Sequence, residues 1–277
     1  MPETAPTLSL ADDVNMPKIG LGTWPMDDAE AEQAVAQALQ LGWRLIDTAE
    51  NYGNETGVGR GLAASGVSRH EVFVTSKFNR QWHSRNGVRQ ALENCCRRLN
   101  LDYLDLFLIH WPNPDLDRYV DAWQGMIDLH KEGLVRAIGT SNFLPQHLQR
   151  LIDATGIAPA VNQIQLCPWW PQHELQAFHR RHGIITECWS PIGRGGELLD
   201  QPQVQSLAAE YERSPAQIVL RWHIEQGIIP IPKSSDPRRQ AQNLEVFDFS
   251  LTAEDMESLT LLSGQGPAMM NPMTFGH

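Results

Sequence analysis

The sequence predicts a (β/α)8 barrel, in which eight parallel strands form a closed ring surrounded by helices. Apolar, β-rich runs alternate with segments of helical apolar spacing eight times from Ile19 onward. Such alternation is typical of parallel sheets with right-handed crossovers, and eight units favour a closed barrel over an open sheet. The length of 277 residues suits one such barrel. Because no segment between the units has linker composition, we expect a single domain over residues 1–277.

Each element has its own signal. Residues 8–17 predict a hairpin lid of two short strands about a turn at Asp12 and Asp13. Barrel strands are predicted at residues 19–24, 44–47, 72–76, 104–109, 135–139, 160–164, 184–188 and 228–231. Helices are predicted between them at residues 27–41, 55–64, 84–99, 116–131, from 145, at 172–181 and within 203–226. The last of these ranges contains an extra helix, so it predicts an insertion before the final strand.

Composition and charge exclude several classes of protein. The net charge of −11 argues against binding of nucleic acid or anionic membranes. No apolar run approaches the roughly 20 residues that span a bilayer, and the acidic start of the chain does not have the pattern of a signal peptide. No pair of the four cysteines has metal-site spacing, so we expect free thiols, no metal site and a reducing, cytoplasmic location.

Four chemically active side chains follow three successive predicted strands. Asp47 ends the second strand and Tyr52 lies in the turn beyond it, while Lys77 and His110 end the next two. Taken alone, Asp47 could equally cap a turn and Tyr52 pack on a helix. The carboxyl ends of parallel barrel strands share one face, however, so we expect all four groups to converge where barrel enzymes do their chemistry.

The combination suits reduction of a carbonyl group. A phenol has a pKa of about 10, and a neighbouring Lys77 ammonium should lower the pKa of Tyr52 and ease proton transfer to an oxygen. Asp47 can keep Lys77 charged, and His110 can hydrogen-bond the same substrate oxygen. These groups could protonate a carbonyl oxygen as a hydride reaches its carbon.

The usual dinucleotide fingerprint is absent, since no G-x-G-x-x-G follows a predicted strand. The glycines within 57–61 have the wrong spacing and lie in a helical pattern.

The chain nevertheless resembles the aldo-keto reductase superfamily over residues 19 to about 262. It contains seven segments in the order in which that family has them, namely IDTAENYGNE, VFVTSK, LIHWP, IGTSNF, VNQIQLCP, WSPIG and IPKSSDPRRQAQNLE. Together with PAQIVLRWH, the pattern is most similar to the bacterial 2,5-diketo-D-gluconate reductase group.

The resemblance implies NADPH-dependent reduction of aldehydes and ketones to alcohols. It implies Tyr52 as general acid, with Asp47, Lys77 and His110 completing the catalytic set. The expected substrates are small dicarbonyls, keto-sugar acids such as 2,5-diketo-D-gluconate, and aromatic aldehydes, and the expected state is a monomer.

The resemblance also implies the cofactor contacts. Ser141, Asn142 and Gln163 would hold the nicotinamide carboxamide, and Trp189 would stack on the ring, followed along the chain by Ser190, Ile192 and Gly193. Lys233, Ser234 and Arg239 would bind the adenosine 2′-phosphate, with Asn243 near the adenine. Two cations and a hydroxyl on adjoining turns suit a phosphate dianion, although a solvated charged face is the alternative.

The substrate pocket is the least defined part. Trp24, Trp82 and Trp111 are expected to wall it, although ordinary packing is equally plausible for Trp82. The chain departs from the family at 165–167, where Gln-Leu-Cys replaces the usual Glu-Tyr-His, and at 79–83. The tail, residues 264–277, could line the pocket through its methionines and Phe275 or cover apolar surface.

Two other functions remain open at this level. One is an aldolase in which Lys77 forms a Schiff base. The other is a non-catalytic barrel that binds NADPH as a regulatory subunit.

Overall fold

The computed structural model describes residues 4–10, 14–194 and 196–276, so the predicted turn at Asp12 and Asp13 lies outside the described residues. The strands are β1 Thr7–Ser9, β2 Asn15–Pro17, β3 Leu21–Gly22, β4 Leu45–Asp47, β5 Phe73–Phe78, β6 Leu104–Ile109, β7 Val135–Ser141, β8 Val161–Gln165, β9 Ile185–Trp189 and β10 Ile229–Ile231. The helices are α1 Asp28–Leu41, α2 Glu55–Ala64, α3 Arg85–Leu99, α4 Tyr119–Lys131, α5 Pro145–Thr155, α6 His173–His182, α7 Pro202–Glu210, α8 Pro215–Glu225, α9 Pro237–Leu244 and α10 Ala253–Thr260.

Strands β3 to β10 form one parallel sheet in which each strand pairs with its neighbours in the sequence. The ring closes through backbone hydrogen bonds between its first and last strands, from Gly20 N to Pro230 O at 3.1 Å and from Gly22 N to Pro232 O at 3.0 Å. The predicted (β/α)8 barrel is therefore confirmed. The predicted insertion is confirmed as well, because both α7 and α8 lie between β9 and β10.

The barrel interior changes from apolar to polar along the strands. Alternate residues of a strand face the same side, so Phe73 and Lys77 of β5 both point inward, one near each end. The deeper interior is filled by Leu45, Phe73, Leu106, Leu108, Ala137, Val161, Ile185, Ile229 and Ile231. The sequence predicts a third strand over 72–76 that ends on Lys77, whereas β5 includes Lys77 and continues to Phe78. Lys77 is thus anchored within the sheet.

The amino-terminal hairpin closes the deep end of the barrel. Strands β1 and β2 pair antiparallel, with Leu8 opposite Met16. Leu10, Val14 and Met16 are buried in the same cluster as the deep interior residues of the barrel. The predicted hairpin is confirmed, and it leaves the carboxyl-terminal mouth of the barrel as the face available for chemistry.

The glycine-rich segment within α2 serves helix packing. A Cβ added at Gly57 would lie 2.0 Å from the backbone oxygen of Asp28 in α1, and one at Gly59 would lie 2.3 Å from the backbone oxygen of Leu99 in α3. Only residues without a side chain permit such close approach of backbones. No helix in the described ranges is long and apolar enough to cross a membrane.

Candidate active site

The mouth cluster, which we define as Asp47, Tyr52, Lys77 and His110, is built around a buried ion pair. Lys77 Nζ donates to Asp47 Oδ1 at 2.7 Å and Oδ2 at 2.9 Å, and to the backbone oxygen of Thr48 at 3.0 Å. It also lies 3.3 Å from the Tyr52 hydroxyl oxygen. Asp47 is paired in register with Thr75, two residues before Lys77, so adjacent strands bring the carboxylate and the ammonium together. The structure places the predicted acid, phenol and ammonium in one hydrogen-bonded group.

The electrostatics differ from the sequence expectation at Tyr52. Burial alone would lower the pKa of Lys77, but the Asp47 carboxylate raises it above its ordinary value. For Tyr52, desolvation raises the pKa of the phenol above 10, and this outweighs the lowering effect of Lys77. The expected net lowering was therefore wrong, because sequence does not reveal how little water reaches the hydroxyl. Tyr52 keeps its proton at neutral pH.

His110 comes directly after β6. In the mouth cluster it lies next to a group of aromatic side chains. Its ring meets the Tyr52 ring edge-on, with centroids 5.9 Å apart. The next residue, Trp111, is buried, and its ring centroid lies 6.5 Å from that of Trp189 and 4.7 Å from that of Phe275. The mouth is therefore apolar on one side and charged on the other.

Strands β7, β8 and β9 add a network of amides. Asn142 Nδ2 donates to the His110 backbone oxygen at 3.0 Å, and Asn142 Oδ1 accepts from Trp189 Nε1 at 2.8 Å. Ser141 Oγ donates to the Gln163 backbone oxygen at 2.9 Å. Asn142 and Ser190 have φ values of 63° and 52°, a left-handed conformation that is uncommon outside glycine and often found at functional sites.

Sequence reasoning missed one member of this network. Gln163 Nε2 donates both to Asp47 Oδ2 at 2.8 Å and to Glu187 Oε2 at 2.7 Å. Glu187 is fully buried on β9, and burial together with Asp47 raises its pKa to about 8. The signal in the sequence was a single charged residue within the strand predicted at 184–188.

The residues expected at the 2′-phosphate lie apart from the mouth cluster, after β10. Lys233 Nζ donates to Glu30 Oε1 at 3.0 Å and to Ser235 Oγ at 3.3 Å. Ser234 Oγ bonds the backbone of Asp236 in a tight turn. Arg239 is exposed on α9, and Asn243, one turn further on, is buried. The contact of Lys233 with Glu30 of α1 was not foreseen, since 203 residues separate the two.

The turn after β9 is held by its own backbone. Gly193 N donates to Ser190 O at 3.0 Å, and Gly193 has a φ of 62°. Ile192 is partly buried against the core. These three predicted cofactor residues lie on the carboxyl-terminal side of the barrel next to Trp189.

The three tryptophans expected to wall the pocket differ in exposure. Trp24 is 49% exposed, with the Arg194 guanidinium 5.5 Å from its ring centroid. Trp82 is half-buried, and its Nε1 donates to Glu50 Oε1 at 2.9 Å. Trp111 is buried. Trp82 thus has a specific polar partner, which the sequence did not indicate.

The carboxyl-terminal tail lies over the mouth. Met270 N donates to Gln165 Oε1 at 2.9 Å, and the Phe275 ring packs edge-on against Trp111. The structure therefore places Phe275 against Trp111 at the mouth, and a role of the tail in lining the substrate pocket stays a prediction.

Comparisons with known proteins agree with this geometry. The Aldo/keto reductase family matches residues 18–263 of the chain. The chain is 47% identical over 273 residues to methylglyoxal reductase DkgA of Yersinia pestis, covering 98% of both chains. It is 48% identical over 255 residues to 2,5-diketo-D-gluconic acid reductase B of Corynebacterium sp., covering 92% of both.

Solved structures show the same likeness. The Bombyx mori aldo-keto reductase in complex with NADP matches with a TM-score of 0.89 and 38% identity, over 96% of this chain and 95% of that one. A mutant of Gox0644 in complex with NADPH matches with a TM-score of 0.93 and 41% identity, over 99% of each chain. The resemblance predicted from the sequence motifs is confirmed. The chain belongs to the aldo/keto reductase family.

Proposed function

We propose that the chain is an NADPH-dependent reductase that converts aldehydes and ketones into alcohols. The observation that carries this proposal is the Tyr52 hydroxyl at the barrel mouth, 3.3 Å from the buried Lys77 ammonium. The reductases named among the relatives, one for methylglyoxal and one for 2,5-diketo-D-gluconic acid, support carbonyl reduction.

Tyr52 is the proposed proton donor. A donor must be protonated at the working pH, and the raised pKa of Tyr52 meets that requirement. The alkoxide formed when a hydride adds to a carbonyl carbon is a stronger base than a phenolate, so the proton moves from Tyr52 to the alkoxide oxygen. Lys77 then stabilises the Tyr52 phenolate across 3.3 Å. The reduced nicotinamide supplies the hydride when it is bound.

Asp47 and His110 orient this transfer. Asp47 holds Lys77 charged and fixed through two hydrogen bonds. His110, whose ring lies edge-on to Tyr52, is proposed to hydrogen-bond the substrate oxygen. The aromatic side of the mouth, formed by Trp111 and Phe275, suits small dicarbonyls, keto-sugar acids and aromatic aldehydes, with Trp24 and Trp82 completing the pocket.

The polar groups present fit NADPH. Gln163 and Asn142 supply amides at the mouth for a carboxamide, beside Ser141 and the indole of Trp189. At the other end, Lys233 and Arg239 supply two cations, and Ser234 a hydroxyl, for a phosphate dianion. Asn243 is proposed to face the adenine, and Ser190, Ile192 and Gly193 to contact the intervening part of the cofactor.

The two alternative functions have less support. A Schiff base requires a neutral amine, whereas Lys77 is held as an ammonium by Asp47 and also donates to Thr48 O. A purely regulatory barrel would not require a complete proton-donating group at its mouth. A monomeric, cytoplasmic protein remains the prediction.

The test is NADPH consumption with a panel of methylglyoxal, keto-gluconates, aldoses and nitrobenzaldehydes, with NADH run in parallel. We expect turnover of at least the dicarbonyls, faster with NADPH than with NADH. Tight NADPH binding without oxidation by any member of the panel would favour the regulatory barrel. Borohydride trapping of a substrate on Lys77 would instead favour the aldolase.

A further inference from the structure

The buried carboxyl group of Glu187 has a bonded oxygen and an unbonded one. Its Cα pairs in register with Gln163 on β8 and with Ile229 on β10, and Oε2 accepts from Gln163 Nε2 at 2.7 Å. Oε1 is buried without a hydrogen-bond partner among residues 4–10, 14–194 and 196–276. Burial of an incompletely bonded carboxyl group lowers stability, so packing alone does not account for this residue.

Glu187 and Asp47 together define the orientation of the Gln163 amide. The two N–H groups on Nε2 are both used, one toward Asp47 Oδ2 and one toward Glu187 Oε2. In the reversed orientation, Gln163 Oε1 would face an Asp47 carboxylate oxygen, which is repulsive. Gln163 therefore has only Oε1, a hydrogen-bond acceptor, to offer a ligand. The complementary ligand group is an N–H donor, such as the NH2 of a carboxamide.

The charges around Glu187 favour its neutral form. The titratable groups that interact electrostatically with it are Asp47 on β4, Lys77 on β5 and Tyr52, together with the thiol of Cys188, whose side chain points to the other side of β9. Among the residues that the structure describes, the positive charge that acts on Glu187 is that of Lys77, which is already paired with Asp47. An ionised Glu187 would add an unpaired negative charge, and burial together with Asp47 raises its pKa to about 8. In this neutral form we assign the proton to Oε1, because Oε2 accepts from Gln163.

We propose that Glu187 is a positioning residue for the nicotinamide end of the cofactor, an inference that rests on the proposed NADPH-dependent function. As a neutral acid it accepts the second N–H of Gln163, so the Gln163 carbonyl oxygen stays directed at the carboxamide N–H. Ionisation of Glu187 keeps this hydrogen bond but adds a negative charge next to the ring site. That charge favours the cationic oxidised nicotinamide over the neutral reduced one.

Two substitutions in the full chain separate positioning from packing. Glu187→Met has similar length and no acceptor, so we expect the Kd for NADPH to rise about tenfold through loss of one hydrogen bond that orients Gln163. Glu187→Gln keeps an acceptor and should bind NADPH with a Kd within about twofold of that of the parent.

A double variant tests whether Glu187 acts through Gln163. In a Gln163→Met background, Glu187→Met should change the Kd for NADPH hardly at all, because the residue that Glu187 positions is gone. A parental Kd in Glu187→Met, or an undiminished effect in that background, overturns the proposal.

The pH dependence of cofactor binding distinguishes positioning from packing, because a residue that only packs would not alter it. This measurement needs only the isosteric Glu187→Gln variant, so it can be made even if Glu187→Met does not fold. The ratio of the Kd values for NADP+ and NADPH cancels the titration of their shared phosphates. In the parent this ratio should fall severalfold as the pH rises through about 8, whereas in Glu187→Gln it should be flat. A flat ratio in the parent, or an equal slope in Glu187→Gln, refutes the assignment.

Both readouts are binding measurements and therefore do not depend on turnover. A parent that binds NADPH but reduces no carbonyl compound contradicts the proposed function, while the Glu187 comparison still gives its own answer.

Discussion

The Lys77 ammonium lies 2.7 Å from an Asp47 carboxylate oxygen, and neither side chain has appreciable contact with solvent. Removal of one partner from a buried ion pair leaves the other charge uncompensated, which typically costs about 3–5 kcal/mol of unfolding free energy. We therefore expect Lys77→Met to be strongly destabilised and inactive. Lys77→Met/Asp47→Asn should be inactive but clearly more stable than the single variant.

Urea unfolding measures this difference. Arg60→Met provides the control, since Arg60 forms an ion pair with Glu32 in which the side chains are 47% and 40% exposed. We expect that control to change the unfolding free energy far less than Lys77→Met. Equal stability of Lys77→Met and the parent would show that the buried pair is not arranged as described.

Arg239 is expected to select NADPH over NADH. Hydrogen bonds to charged groups contribute about 1.5–3 kcal/mol, so Arg239→Ala should raise the Kd for NADPH by about tenfold or more and leave that for NADH nearly unchanged. Arg238→Ala is the matched control, because Arg238 is 90% exposed and lies next to Asp236. Fluorescence titration that shows equal losses for both cofactors would exclude a 2′-phosphate contact.

Glu30 is expected to act in the opposite direction. Its carboxylate holds the Lys233 ammonium at 3.0 Å, and hydrogen bonds from Ser235 and Lys233 lower the pKa of Glu30, so it is ionised at neutral pH. A bound phosphate would compete with it for Lys233. Glu30→Gln should therefore lower the Kd for NADPH about threefold at low ionic strength, and Glu32→Gln on the same helix should not. A weaker NADPH complex in Glu30→Gln would mean that Glu30 supports Lys233 rather than competing for it.

Buried imidazoles predict loss of stability in acid. Desolvation lowers the pKa of His179 to about 3 and that of His223 to about 4. The unfolded chain takes up protons below an ordinary histidine pKa of about 6.5, and the folded protein does not. Stability is therefore present above about pH 6.5 and falls as the pH drops toward 4, by up to about 1.4 kcal/mol per pH unit for each histidine.

Thermal unfolding between about pH 7.5 and about pH 4.5 tests this. His179→Gln should reduce the dependence of the melting temperature on pH, whereas His173→Gln, at an exposed position of the same helix, should leave it unchanged. If the melting temperature of His179→Gln depends on pH as strongly as that of the parent, His179 does not contribute to the loss of stability in acid.

Much of the fold and the mouth cluster could be predicted from local patterns. The alternation of strands and helices defines the barrel, and Asp47, Lys77 and His110 stand at strand ends that parallel pairing must bring to one face. Helix starts were less certain: the fourth helix was expected from 116, but α4 begins at Tyr119 after a short 3-10 turn at Pro114–Leu116.

What the sequence did not reveal depends on contacts between distant residues. Trp82 is held by Glu50 and Lys233 by Glu30, and no local pattern links these partners. Glu187 was overlooked because a single charged residue in a strand does not show which side it faces. The direction of the Tyr52 pKa shift depends on desolvation, which appears only when the chain is folded.

The most direct test of the account is the turnover of Tyr52→Phe, measured together with its Kd for NADPH. Tyr103→Phe makes the same chemical change at a tyrosine that precedes β6, at the opposite end of the barrel from the mouth. We expect kcat to fall by about 10²–10⁴ in Tyr52→Phe, with NADPH binding intact, and to stay at the parental value in Tyr103→Phe. A parental kcat in Tyr52→Phe would contradict the assignment of Tyr52 as proton donor.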